Sequence, residues 1–348
     1  MDTRKVQQVG NATLTISLPR NWVKSLGIKR GDLIVLTTQE DGSLNLIPSN
    51  LIKFKERIKK VVINSDFCSE PGIIERLIIG NYIIGFDIIQ IVSSKRIQTS
   101  QMDEIRGAVK KLIGLGIIEE TQSQVVIQCS IDPEKFSLPS TLRRLYSIAS
   151  TMHEEAIHSL INSDIEMAKG VIERENEANA IYWLILRILY LAQEDKEIAK
   201  KVGIKKQKEI LEYKLIVHFL ERIADWGENI AKSVIPIESS KVKLPKQLIE
   251  KISQLSDLAH GLCYKSIECV YTHDINLANS VINTFESIVE FKDNELIKEL
   301  PIQAPSYIVY VTRILWGIRR ISELAAEMAE VSIDKALESS SKFCEYFT

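Results

Sequence analysis

The chain has 348 residues, of which 45% are hydrophobic and 26% charged, and its formal net charge is -2 at pH 7. This length accommodates two or three domains, and the apolar content is that of a folded protein rather than a disordered or fibrous one. A nearly neutral chain has no overall electrostatic attraction for nucleic acid. Any such binding must therefore come from a local basic patch.

The longest apolar runs are too short to cross a bilayer. Asp87 and Arg187 interrupt them before the ~20 apolar residues that a spanning helix needs. The N-terminus "MDTRKVQQVG" lacks the apolar core of a signal peptide, so we expect a cytoplasmic protein without membrane insertion. The five cysteines show no CxxC spacing, and we expect them to be reduced packing residues.

Residues 1–50 have the pattern of a small β domain. "LTISL" alternates, "DLIVLTT" is β-branched and apolar, and Asp41-Gly42 is a hairpin signal before "LNLI". The intervening "RNWVKSLGI" predicts a short basic helix. Because a unit of about 50 residues leaves much of its apolar surface wet, we expect something else to complete it.

Residues 58–133 alternate between strand and helix patterns. "KVVINS", "DIIQIVSS" and "VVIQCSI" predict strands, while "EPGIIERLIIGNYIIG" and "SQMDEIRGAVKKLIGL" predict helices. This order is typical of an α+β domain, for which we predict a ferredoxin-like unit. One role for it is a second dimer contact.

From residue 140 to residue 335, apolar positions recur every three or four residues and predict helices throughout. Pro236 and Pro245 divide the region into halves at about 140–236 and 245–335. Each half has room for three long helices, so we predict an all-α region of tandem three-helix bundles.

The two halves form a weak repeat. Arg222-Ile223-Ala224-Asp225 of the first half aligns with Arg320-Ile321-Ser322-Glu323 of the second. Common ancestry of the halves would explain this alignment. Chance, or the shared demands of core packing, would also explain it.

The segment "VGNATLTISLPRNWVKSLGIKRGDLIVLTTQEDGSLNLIP" resembles the AbrB/SpoVT family of swapped-hairpin proteins. The strand ending in "LP", the short helix and the return "KRGDLIVL" carry the resemblance. It implies that two chains interleave their hairpins into one β-barrel, which presents a basic surface to DNA. A homodimer partner would supply the strands that one small hairpin unit lacks.

Six cations lie within the first thirty residues, against Asp2 as the single acidic residue. Cations can contact phosphates, and short polar side chains on the first strand can reach phosphates or base edges. We predict contacts with double-stranded DNA from Arg4, Lys5, Asn11, Thr13, Thr15, Ser17, Arg20 and Lys24. The alternative is a solvated strand face in a module that only dimerises.

The helical region resembles the PhoU family over residues 141–334. "HFLERIADWGENIAKSV" is similar to the "ERIGD" helix of that family, and "MAKGVIERENEANA" is similar to the helix before it. An AbrB-like head, an α+β unit and a PhoU-like body in this order resemble the archaeal type of phosphate-uptake regulators. The family restrains phosphate uptake through an ABC transporter, whose ATPase is therefore a candidate partner.

Some PhoU proteins hold iron or other metal ions with carboxylates four residues apart on facing helices. Glu221 and Asp225 preserve one such pair, and Glu228 extends the same helix face. Tyr182 and Leu186 stand where the family has its second pair. Divalent or iron ions therefore remain one interpretation of these three candidates.

The other interpretation is a salt-bridged face shared with Arg222. In the second half Arg319 replaces the residue equivalent to Glu221, and a cation at that position opposes metal binding. Acidic residues on the preceding helix can face the cluster and keep the metal interpretation open: Glu173, Glu175 and Glu177.

The sequence contains no Gly-rich phosphate loop, HExxH pair or GxSxG elbow, so we do not expect an enzyme. Two hypotheses remain. In the first, the chain is a DNA-binding transcriptional regulator of phosphate uptake, whose helical body senses phosphate status through a partner or ligand. In the second, it is a dimeric adaptor that docks on the ATPase of a phosphate transporter without binding DNA.

Overall fold

The computed structural model describes residues 3–38, 42–49, 58–240, 244–291, 305–338, 340 and 342–346. The chain forms two compact units, Met1–Ile58 and Lys59–Thr348. None of the helices in these ranges combines the length and hydrophobicity of a membrane span.

The N-terminal unit consists of two hairpins and one short helix. Strand β1 (Gln7–Val9) pairs antiparallel with β2 (Thr13–Thr15), helix α1 spans Arg20–Ser25, and β3 (Ile34–Thr38) pairs antiparallel with β4 (Leu44–Pro48). The hairpins form separate two-stranded sheets. The predicted small strand-rich unit is confirmed. Asp41 of the predicted turn lies outside the described residues, and Gly42 has a φ of 78°, which favours glycine.

The middle region is an α+β layer, as predicted. Its elements are β5 (Lys60–Asn64), α2 (Ile73–Ile83), β6 (Ile88–Val92), α3 (Thr99–Lys111), β7 (Leu115–Glu120) and β8 (Gln124–Cys129). The strand order is β5-β6-β8-β7, with β5 and β6 parallel and the other pairs antiparallel. This βαβαββ connectivity differs from the βαββαβ order of a ferredoxin-like unit.

Helices α2 and α3 cover one face of this sheet. Ile63, Ile91 and Val125 occupy one cross-strand row and share a buried core with Ile78 of α2 and Ile105 of α3. Since successive strand residues point to opposite faces, the residues between these belong to the other face.

The rest of the chain is helical, as predicted. The helices are α4 (Leu138–Ile161), α5 (Ile165–Glu194), α6 (Lys196–Val202), α7 (Glu209–Ser239), α8 (Lys246–Thr272), α9 (Ile275–Phe291) and α10 (Pro305–Ala336). Leu142 and Met152 of α4, Ile223 of α7 and Met328 of α10 belong to one hydrophobic core. The two sets of three long helices therefore share a core instead of forming independent bundles.

The predicted division at Pro236 is wrong in detail. Pro236 lies inside α7, which continues to Ser239, whereas Pro245 does precede the next helix. Proline removes one helical hydrogen bond, but here it stands in the last turn of the helix. Val234 and Ile237 on either side are fully buried, and their burial favours continuing the helix into the core.

Arg187 joins the helical region to the α+β layer. This residue of α5 is 1% exposed, and its Nη1 donates hydrogen bonds to the carbonyl oxygens of Tyr82 (2.7 Å) and Phe86 (2.9 Å). Its Nη2 donates to Asp87 Oδ1 at 2.9 Å. The guanidinium thus pairs with acceptors at and beyond the C-terminal end of α2, where helical carbonyls lack partners.

Candidate nucleic-acid interface and carboxylate cluster

The basic residues that the structure describes in the N-terminal unit are exposed. Arg20 and Lys24 lie on α1 one helical turn apart, so they share one face of that helix. Arg4 and Lys5 precede β1 and are exposed as well. Lys29 and Arg30 follow in a tight turn, where Asp32 accepts a hydrogen bond from the backbone N–H of Lys29 at 2.7 Å.

The predicted polar residues lie around the first hairpin. Thr13 and Thr15 are on one face of β2, because strand residues two apart point the same way. The Thr15 hydroxyl donates to the carbonyl of Gln7 at 3.3 Å. Asn11 lies in the turn, and Ser17 follows the strand; both are exposed. No hydrogen bond between described residues joins these groups to Arg20 or Lys24.

Large apolar side chains are exposed in the same unit. Leu14 is 70% exposed, Ile16 58%, Leu33 74% and Leu36 61%. An apolar surface of this kind in so small a unit is typical of an interface with another chain.

Four carboxylates form a cluster between α5 and α7, which we call the carboxylate cluster: Glu175, Glu221, Asp225 and Glu228. Burial raises the pKa of the Glu221 carboxyl to about 7, and the neighbouring Asp225 adds to the rise. Burial also raises the pKa of Asp225, against the opposing effect of Arg222. The pKa of Glu175 is raised by burial and then by Glu228 and Asp225. These carboxylates are therefore closely coupled.

Built-in cations partly neutralise the carboxylate cluster. Arg222 Nη1 donates to Asp225 Oδ2 at 3.0 Å, and Lys232 Nζ lies 2.7 Å from Glu228 Oε1. His218 Nδ1 lies 3.8 Å from Glu221 Oε2. Glu221 and Glu228 expose only 17% and 16% of their side chains, so the cluster is mostly shielded from solvent.

Of the three glutamates expected from the preceding helix, Glu175 alone couples to α7. Glu177 pairs with Arg144 at 2.8 Å, and Glu173 is exposed. Tyr182 stands where the resemblance implies a carboxylate of the second pair. Its phenol nevertheless faces the cluster, since burial and then the charges of Glu221 and Asp225 raise its pKa. Leu186, the other substituted position, is buried in the core.

The side chains present do not fit a multinuclear metal centre. Across the described ranges, no three side chains of His, Cys, Asp or Glu are placed to hold one metal ion. Arg222 and Lys232 instead occupy two of the carboxylates that a metal would need. The cluster has the chemistry of a salt-bridged, proton-binding group.

Comparison with known proteins assigns two parts of the chain. The PhoU domain model matches residues 142–234. The chain carries a PhoU domain. A second model, "Antidote-toxin recognition MazE, bacterial antitoxin", matches residues 7–53, so a MazE/AbrB-like domain lies at the N-terminus. Both resemblances found in the sequence are confirmed.

A curated relative extends this result beyond the PhoU domain model. The "Phosphate-specific transport system accessory protein PhoU homolog" of Rhizobium meliloti (strain 1021) is 25% identical over 223 residues, which cover 60% of this chain and 87% of the relative.

Two solved structures are also similar. PhoU from Pseudomonas aeruginosa has a TM-score of 0.47 at 17% identity and aligns over 58% of this chain and 96% of its own. The phosphate transport system regulatory protein PhoU from Streptococcus pneumoniae has a TM-score of 0.47 at 18% identity, with 56% and 91% covered.

These assignments place the two candidate sites in different domains. Arg20, Lys24 and the first hairpin belong to the MazE/AbrB-like domain, whereas the α7 part of the carboxylate cluster, Glu221 to Glu228, belongs to the PhoU domain. The second helical half, from α8 onward, lies beyond the residues that the PhoU model matches.

Proposed function

We propose that this chain is a DNA-binding transcriptional regulator of phosphate uptake and phosphate homeostasis. In this proposal residues 1–50 bind DNA and dimerise, residues 58–133 form an α+β domain, and residues 140–335 sense phosphate status through a partner or ligand. The observation that carries it is the combination, in one chain, of a PhoU domain with an exposed basic domain of the MazE/AbrB type.

The charges of the N-terminal unit support DNA as the partner. Arg20 and Lys24 project from one helix face, and a two-fold dimer would present this pair twice. Such cations bind by displacing counterions from DNA phosphates, so the affinity must fall with salt. Thr13 and Thr15 supply hydroxyl groups that can hydrogen-bond to phosphates or base edges.

The exposed apolar residues support a homodimer. Two-stranded hairpins are marginally stable alone, and this unit contains two of them with Leu14 and Leu33 exposed. A second copy that interleaves its own hairpins would cover these side chains. The partner would thereby complete the β-barrel.

A mobility-shift assay tests the proposal. The probe is DNA from upstream of the phosphate transporter genes of the source organism, at moderate salt, with scrambled DNA as competitor. We expect a sequence-dependent shift for the wild type and its loss in Arg20→Ala/Lys24→Ala. Lys110→Ala/Lys265→Ala removes two exposed cations outside the N-terminal unit and should bind like the wild type. Equal binding by both double variants would remove the DNA assignment.

A second candidate function is a dimeric adaptor that docks on the ATPase of a phosphate ABC transporter. The Rhizobium relative, named as an accessory protein of a phosphate-specific transport system, favours it. Pull-down with that ATPase separates the two candidates. If full-length Arg20→Ala/Lys24→Ala captures the ATPase as well as the wild type does, and neither protein shifts DNA, the adaptor function is the correct one.

A further inference from the structure

Two hydrogen-bonded pairs of histidine and serine join α4 to α8, which are the first long helices of the two helical halves. Nε2 of His153 on α4 lies 3.0 Å from Oγ of Ser256 on α8. Nε2 of His260 on α8 lies 2.9 Å from Oγ of Ser150 on α4. Each helix therefore supplies one imidazole and one hydroxyl to the other. We call these four residues the histidine–serine cluster.

The histidine–serine cluster extends from the core to the half-buried edge of the contact. His153 is 1% exposed and Ser256 5%, whereas Ser150 and His260 are half-buried. The two imidazole rings meet edge to face, with their centroids 6.3 Å apart. A proton on one ring would therefore place a positive charge beside the other ring, where His153 has no access to water.

The helices packed around the cluster offer His153 no counter-charge among the described residues. Tyr146 of α4, which interacts with Ser150, and Cys263 of α8 are the nearby uncharged titratable groups. The acidic side chains closest along these helices are either exposed or already paired with a cation. Glu154 on α4, Asp257 on α8 and Glu286 on α9 are exposed, while Glu155 on α4 pairs with Arg174 on α5, Glu228 on α7 with Lys232, and Glu323 on α10 with Arg320.

Burial makes the histidine–serine cluster sensitive to acid. Burial, and then the neighbouring His260, lower the pKa of His153 from 6.5 to about 3. The unfolded chain therefore binds a proton at this residue below pH 6.5, whereas the folded chain does so only near pH 3. As the pH falls through this window, the unfolding equilibrium constant rises by about tenfold per pH unit. Any opening that admits water to His153 gains the same factor.

The contact between α4 and α8 can open without unfolding either half. Helix α4 packs mainly on α5 and α7, and α8 packs mainly on α10. The extensive contact between α7 and α10 joins the two halves independently of the cluster. Each of the two helices can therefore lose the other while it keeps its packing within its own half.

We propose that the histidine–serine cluster is an acid-sensitive switch: near neutral pH it holds α4 against α8, and in acid this contact opens while α7 and α10 keep the two halves together. The proton binds to His153 in the opened contact. The switch is independent of the proposed function, because it requires neither DNA nor a transporter. Through it the arrangement of the two helical halves would respond to the pH around the protein.

Chemical unfolding of the full-length protein at about pH 7.5 and about pH 5.5 tests the role of His153. Between these values the unfolding equilibrium constant of the wild type should rise about tenfold more than that of His153→Gln, which lacks the suppressed titration. His158→Gln removes an exposed histidine of the same helix and should follow the wild type. If His153→Gln also follows the wild type, His153 does not make the fold acid-sensitive and the proposal is wrong.

Hydrogen exchange of the wild type at the same two pH values, corrected for the intrinsic exchange rate at each, locates the opening and needs no variant. We expect amides of α4 and α8 beside the cluster to lose protection by about tenfold at the lower pH, because helices that lose their packing open locally more often. Amides of α2 and α3, which contain no histidine, should keep their protection. Equal losses in all four helices would indicate general unfolding, and unchanged protection in α4 and α8 would indicate a closed contact. Either result would overturn the proposal.

Discussion

At the scale of single residues, Arg187 shows how a buried charge can connect two layers. A buried guanidinium is tolerated where its N–H groups are paired. Arg187 satisfies this condition through two carbonyls and Asp87, although its Nε has no partner among the described atoms. Removing it would leave the acceptors of Tyr82 and Phe86 without their donor.

Arg187→Met should therefore lower the free energy of unfolding by about 3 kcal/mol, the usual cost of breaking a buried pair by removing one partner. Urea unfolding followed by circular dichroism measures it. Arg144→Met removes a surface pair with Glu177, in which the side chains are 59% and 49% exposed, and should cost less than about 1 kcal/mol. Equal losses from the two variants would show that Arg187 does not join the layers.

Glu221 should make stability depend on pH. Its folded pKa of about 7 lies above the ordinary glutamate pKa of 4.5, so the folded state binds its proton more tightly than the unfolded state does. Ionised Glu221 therefore costs stability above its unfolded pKa, and the cost is largest once the pH exceeds the folded pKa. Glu221→Gln should raise the free energy of unfolding by roughly 1 to 3 kcal/mol near pH 8, with a smaller gain near pH 5.

Chemical unfolding of both proteins at the two pH values, with and without a chelator, measures this effect. If Glu221→Gln is instead destabilising, and only in the absence of chelator, the carboxylate cluster holds a metal ion. That result would contradict the salt-bridged, proton-binding interpretation.

At the scale of helices, α4 and α7 approach so closely that a methyl group added between them would lie inside ordinary contact distance of the α4 backbone. A Cβ on Gly227 of α7 would lie 3.2 Å from the backbone of Met152 and His153 on α4. Gly227→Ala should therefore lower the free energy of unfolding by about 1 to 3 kcal/mol through overpacking.

Gly261 provides the matched control for this prediction. It lies on the exposed face of α8, and a Cβ there would meet nothing within 4 Å. Gly261→Ala should stabilise the protein by roughly 0.5 to 1 kcal/mol, because alanine is the better helix former. Thermal unfolding of both variants measures the two changes in stability. If both substitutions stabilised the protein, or both destabilised it, the packing argument would be refuted.

The sequence predicts elements well where a long pattern identifies them. The stripe of Leu142, Leu145, Ile148 and Met152 on α4 is buried as its spacing indicates. Strand β7 was not predicted from the sequence. Its residues, "LGIIEE", are a short apolar run after a helical pattern, and periodicity cannot separate helix from strand over that length. Missing β7 also concealed the order of the sheet.

The carboxylate cluster shows the same limit at the level of a site. Helical spacing grouped Glu221, Asp225 and Glu228, but sequence alone could not select Glu175 from its neighbours Glu173 and Glu177. That choice depends on the rotation of α5 against α7. The hydrogen bonds of Arg187 could not be predicted from the sequence either, because its acceptors lie about a hundred residues away along the chain.

At the scale of the whole molecule, one chain contains both a basic, incompletely covered N-terminal unit and a PhoU domain. The net charge of -2 shows that attraction to DNA cannot come from the molecule as a whole. If the N-terminal unit binds DNA as a dimer, each lysine that contacts phosphate does so twice, so the salt dependence of binding counts these contacts.

The measurement that tests this claim most directly is the DNA dissociation constant of full-length protein over a series of salt concentrations, by fluorescence anisotropy. We predict a steep, linear fall of log K with log salt for the wild type. For Lys24→Ala the slope should be shallower by about 2, since each phosphate contact contributes about 0.9 and a dimer loses two. Affinity that does not change with salt, or an identical slope in Lys24→Ala, would contradict the account.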